Sequence, residues 1–145
     1  MLTQDEKRLQ LLLKFWSFLF AVGCVMFAFA PHFVIENLNR IFLKIAPTLP
    51  SLPYSEERFW LALTVSLMAT ISALCYSAQS DLKRKKDLVV FVLISKATSS
   101  LFFFLFFFLD RHSLAYLFGM ALDGSIFVIT FIFYMRATRS SQLIL

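Results

Sequence analysis

Apolar residues fall into four long runs, separated by short polar or proline-rich stretches. The runs cover about Leu11–Ala30, Phe59–Gln79, Asp87–Leu109 and Ser113–Met135. Each reaches the roughly 20 residues a helix needs to cross the hydrocarbon core of a bilayer. A segment of different pattern lies between the first two. In "HFVIENLNRIFLKIA", Val34, Leu38, Ile41, Phe42 and Ile45 share one helical face, with Glu36, Asn37, Arg40 and Lys44 opposite. That periodicity predicts a helix over about 33–46, lying in the membrane interface with its apolar side down. The following "PTLPSLPYSEER" carries three prolines and ends it. Ser55 then suits the N-cap of the second span, with Glu56 and Glu57 in the first turn, where the helix dipole favours acids.

The expected fold is therefore all-α and membrane-integral, a four-helix up-down transmembrane bundle with one interfacial amphipathic helix between helices 1 and 2. One domain accounts for residues 1–145. The connections after the second and third spans are short, which makes the last three helices antiparallel neighbours. Composition agrees: 59% of residues are hydrophobic, only 16% are charged, and mean hydropathy is +0.76. The first run resembles a secretory leader ending in Ala28-Phe29-Ala30, but Pro31 stands where the new N-terminus would be. The expectation is an uncleaved first helix.

Charge sets the sidedness. With four spans, Lys7, Arg8, Lys14, Lys83, Arg84, Lys85, Lys86, Arg136 and Arg139 fall on one side, and only Arg40, Lys44, Arg58 and Arg111 on the other. The positive-inside tendency puts both termini in the cytoplasm, and the short loops suit a bacterial inner membrane. Trp16, Tyr76 and Tyr134 near the inner helix ends, and Tyr54, Trp60 and Tyr116 near the outer ends, suit aromatic belts. The basic run Lys83–Lys86 reads as a topology signal in contact with anionic headgroups, and nothing in it suggests nucleic acid.

The fourteenth basic residue, Lys96, lies inside the third run, and Asp123 lies inside the fourth. A charge at the middle of a span costs about 2.5–3.5 kcal/mol on insertion scales. Lys96 is about 13 Å from the inner end of its helix and Asp123 about 18 Å, at 1.5 Å per residue. A lysine stem covers that difference, so the two are expected to pair inside the bundle. Ser66 and Thr70 on the second span, and Ser99 with Ser100 on the third, match this depth, while Gly119 and Thr130 flank Asp123 on the fourth. Lys96, Asp123, Thr70, Ser66 and Ser99 are the candidates for binding a ligand or a proton.

His32, His112 and Glu57 form a second, outer candidate group for proton exchange, without the spacing of a metal or haem site. Cys24 and Cys75 differ too much in depth for a disulfide and read as small packing residues. No phosphate loop, nucleophile elbow or HExxH motif is present. The function expected is that of a small non-enzymatic membrane protein. It would be an accessory subunit of a membrane complex, or a binding module for a lipid or quinone, with the bilayer and other membrane subunits or a second copy as partners. No cofactor is expected beyond such a bound lipid or quinone. The alternative is a small oligomeric proton-coupled transporter using the same two intramembrane charges.

Overall fold

The computed structural model describes residues 2–50, 58–110 and 112–142. Five helices account for 87% of the described residues, and no strand occurs among them. In chain order they are α1 (Gln4–Phe29), α2 (Pro31–Ile45), α3 (Arg58–Ser80), α4 (Asp87–Leu109) and α5 (Leu114–Gln142). Four of them, α1, α3, α4 and α5, are long and apolar enough to cross a membrane. Tyr54, Ser55, Glu56, Glu57 and Arg111 lie outside the described residues.

Local chemistry explains the ends. The α1 helix starts seven residues before its apolar run because Thr3 and Glu6 form a capping box. The Glu6 amide donates to Thr3 Oγ1 at 3.2 Å, and the Thr3 amide donates to Glu6 Oε2 at 2.8 Å. This satisfies two of the amides that a helix start leaves open. At the other end of α1 the chain breaks at Ala30, and Pro31 occupies the first turn of α2, where its missing N–H costs nothing. The α5 helix runs beyond Met135 through the basic tail, and Ser140 Oγ donates to Asp5 Oδ2 at 2.5 Å.

The spanning helices pack around a square. The α1 helix lies along α3, α4 lies along α5, and lesser contacts between α1 and α5 and between α3 and α4 close the ring. Each helix offers one stripe at helical spacing. These are Leu9, Leu13, Trp16, Ser17 and Phe20 on α1, and Ile71, Cys75 and Ala78 on α3. On α4 the stripe is Val89, Val92, Leu93 and Lys96, and on α5 it is Asp123, Ile126, Thr130 and Ala137. Outward faces are apolar too, as at Phe18, Leu67, Phe104 and Val128, which is the pattern of helices solvated by lipid.

Trp16 departs from the belt expectation. It is buried, and its indole N–H donates to Thr130 Oγ1 at 3.1 Å across the α1–α5 seam. A ring with an internal acceptor does not need the headgroup region. The α2 helix meets the bundle through Phe42, which is buried and tilted against Phe118 of α5 at 5.5 Å between centroids. Ile41 and Ile45, on the same apolar face, stay exposed.

The outer half of the α4–α5 seam closes at Gly119. A methyl group there would come within 2.9 Å of the Phe103 ring. Gly119→Ala is therefore expected to destabilise the bundle by about 1–3 kcal/mol through overpacking. Adding Phe103→Leu should recover much of the loss, as read from thermal unfolding in detergent. Equal stability of Gly119→Ala and the parent would contradict this packing.

Candidate functional site

The centre of the bundle holds two charges. Lys96 ends the packing stripe of α4 and Asp123 begins that of α5, and they are 6% and 7% exposed. Lys96 Nζ donates to Asp123 Oδ1 at 2.9 Å, an ion pair in charge-assisted hydrogen-bond geometry. Ser99, one turn beyond Lys96, donates its hydroxyl to Asp123 Oδ2. Both carboxylate oxygens are thus occupied from α4. The ammonium also reaches across the square to α1, where it lies 4.4 Å from the centroid of the Phe20 ring. A cation over a ring face gains electrostatic attraction without any further hydrogen bond.

Ser100, beside Ser99, donates to the Met120 carbonyl at 3.0 Å, and a Cβ on Gly124 would come 3.0 Å from its Oγ. The two serines and two glycines thus draw α4 and α5 close enough for Lys96 to reach Asp123. Among the described residues, no buried side-chain polar atom lacks a hydrogen-bond partner. In a hydrocarbon surround an unpaired polar group costs several kcal/mol, so this closure is the condition for the layer to exist.

Ser66 and Thr70 do not join it. Both are exposed on the outward face of α3, where Thr70 Oγ1 donates to the Ser66 carbonyl at 2.9 Å. The stripe Ser66, Thr70, Ala73 and Ser77 lies half a turn from the face that packs, which carries Met68, Ile71, Ser72, Cys75 and Ala78. A hydroxyl bonded back to its own helix needs no neighbour, so matching depth does not fix which way it points. The hydroxyls that do cross a seam are Ser17 and Ser72. Ser17 Oγ donates to the Ser72 carbonyl at 3.0 Å, and Ser72 Oγ donates to the Ser17 carbonyl at 2.8 Å. The spacing of Leu9, Leu13, Trp16, Ser17 and Phe20 was the available sequence signal for the α1 half of this seam.

The outer candidates stay apart from the layer. His32 is exposed at the start of α2, and His112 is exposed with its ring edge-on to Phe107 at 5.2 Å. Glu57 lies outside the described residues. No cluster of three or more His, Cys, Asp or Glu suited to a metal occurs among the described residues. Cys24 and Cys75 are free thiols, and Cys24 Sγ donates to the Val65 carbonyl at 3.5 Å.

A second polar cluster closes the basic end of the bundle. Lys86, just before α4, donates to the Ala137 carbonyl at 3.2 Å, and Gln10 Nε2 donates to the Gln79 carbonyl at 2.7 Å. Burial pushes the Lys86 ammonium below its ordinary range, and the Glu6 carboxylate acts in the opposite direction. Compared with known families, curated proteins and solved structures, the chain matches none.

Two predictions follow from this geometry. Lys96→Met leaves Asp123 buried without its counter-ion and only half-satisfied, which should cost about 3–5 kcal/mol of stability. Lys96→Met with Asp123→Leu removes the orphan and should recover most of it in a double-mutant cycle; a double variant as unstable as Lys96→Met would refute the coupling. For Lys86, a folded pKa below the unfolded one means that the cost of burying the ammonium is present below the folded value. It disappears as pH rises through that value toward the ordinary lysine range. Glu6→Gln removes the opposing carboxylate, so NMR titration of Lys86 should show a still lower midpoint. An unchanged or higher midpoint would exclude the Glu6 effect.

Proposed function

We propose that the chain is a small non-enzymatic integral membrane protein that acts through its outer surface. It serves as an accessory subunit of a larger membrane complex or as a binding module for a lipophilic ligand. The observation that carries this reading is the closure of the central ion pair. Lys96 and Asp123 find their partners in each other, in Ser99 and in the Phe20 ring. Charges so committed serve helix register, whereas an intramembrane site that handles protons or ions must open to water.

What remains for interaction is apolar helix surface, including the exposed Phe102, Phe104, Phe106 and Phe108 of α4. The nine basic residues at the end of the bundle that holds both termini support a cytoplasmic placement of that end, in a bacterial inner membrane.

The test is native mass spectrometry of the protein extracted from its own membrane in a mild detergent. Recovery within a larger complex, or with a stoichiometric lipid or quinone, is the expected result. A bare monomer or small homo-oligomer would overturn the proposal if vesicles containing it also show pH-dependent uptake that Asp123→Asn abolishes. That pair of results would establish the proton-coupled transporter instead.

A further inference from the structure

At the basic end, α1 and α5 are clamped at two levels, by Asp5 with Ser140 and by Trp16 with Thr130. Beside these clamps lies a groove of about 560 Å³. Pockets that hold small ligands span roughly 300–1,000 Å³. Its walls are Leu11, Leu12, Phe15 and Phe18 from α1 and Phe133 from α5, and the aliphatic stems of Arg8 and Lys14 complete an almost wholly apolar lining. Leu11, Phe15 and Phe18 are 70%, 54% and 69% exposed, so the groove opens toward the surrounding lipid.

The two cations are unequal in depth. Lys14 lies six residues past Arg8, about 9 Å further along α1. It is exposed, and no hydrogen bond or ion pair joins it to another described residue. A lysine in that position keeps its stem on apolar surface and turns its ammonium back toward the headgroups. That movement carries it toward Arg8. The Arg8 guanidinium has one acid near it, Asp5 at 3.8 Å, and Asp5 already accepts a hydrogen bond from Ser140. The groove therefore has an apolar lining, with the cationic ends of Arg8 and Lys14 at its rim.

From this arrangement we infer that the α1–α5 groove is a binding site for an anionic phospholipid of the adjacent leaflet. The phosphate sits between Arg8 and Lys14, and one acyl chain lies along Leu11, Phe15 and Phe18. A phospholipid supplies both an anion for the two cations and a chain to cover the exposed rings. A zwitterionic lipid brings its own cation toward two others and is disfavoured. The site depends on the chain crossing a bilayer and stands whether or not the protein belongs to a larger complex.

The experiment is a titration of the full-length protein, in mild detergent, with phosphatidylglycerol or phosphatidylcholine, read by native mass spectrometry. One phosphatidylglycerol should bind in preference to phosphatidylcholine, and inorganic phosphate alone should not displace it. Arg8→Gln and Lys14→Gln should each weaken binding about fivefold, and together about 25-fold. Arg84→Gln with Lys85→Gln removes the same charge at the same end but from residues that do not line the groove, and with screening by salt should change binding less than about twofold. Phe18→Ala, with both cations intact, should also weaken retention of the lipid. Equal weakening by the Arg84/Lys85 variant would reduce the effect to surface charge and overturn the site. So would equal binding of the two lipids, or full binding by the Arg8/Lys14 variant with an unchanged circular-dichroism spectrum. Loss of a co-purifying protein from the Arg8/Lys14 variant, with phosphatidylglycerol binding intact, would assign the cations to a partner's acidic group instead.

Discussion

A lysine and an aspartate placed near the middle of apolar helices constrain everything around them. Neither can face hydrocarbon alone without a cost of several kcal/mol. Their 2.9 Å contact therefore requires α4 and α5 to be neighbours, in one register and with one pair of faces opposed. Ser99 and Phe20 complete the requirement, the first by filling the second carboxylate oxygen and the second by bringing α1 within reach of the ammonium. The pair thus fixes geometry more than it adds net stability, since an apolar replacement of both partners can hold a core equally well.

The rest of the bundle is built to let that contact form. Water does not drive these helices together, because lipid tails are as apolar as the side chains. Packing and hydrogen bonds across the seams take over. Ser17 and Ser72 bond reciprocally between α1 and α3, Trp16 bonds Thr130 between α1 and α5, and Ser100 bonds the Met120 carbonyl between α4 and α5. Small residues sit where the seams are closest. Gly119 lies under the Phe103 ring and Gly124 against Ser100. Such cross-helix bonds contribute about 0.6 to 2 kcal/mol each, so several together decide the arrangement where one would not.

With the interior closed, the surface becomes the informative part of the molecule. Most of it is lipid-facing hydrocarbon, with the phenylalanines of α4 at one end and the Arg8–Lys14 groove at the other. The α2 helix attaches to this frame chiefly through Phe42 and leaves Ile41 and Ile45 outside, as suits a helix shared between bundle and bilayer. No group of three or more His, Cys, Asp or Glu suited to a metal occurs among the described residues.

The spans, the interfacial helix and the depth of the two charges were legible in the sequence, because length, periodicity and the 1.5 Å rise are properties of single helices. Lys96 and Asp123 could be matched across two segments for the same reason. The Thr3–Glu6 capping box was also written in the chain, as a T-x-x-E pattern, though an apolar run alone does not reveal it. Rotation about each helix axis was not legible. In a membrane both faces of a helix are apolar, so hydropathy does not say which face turns inward. Ser66 and Thr70 had the right depth and point out to lipid, while Ser72, two residues on, points in. Trp16 stood at the level of an interfacial belt and is an internal donor. Sequence determined how many helices cross, and at what height each charge sits. Only the tertiary structure decided which faces meet, because that choice rests on close packing and hydrogen bonds between helices.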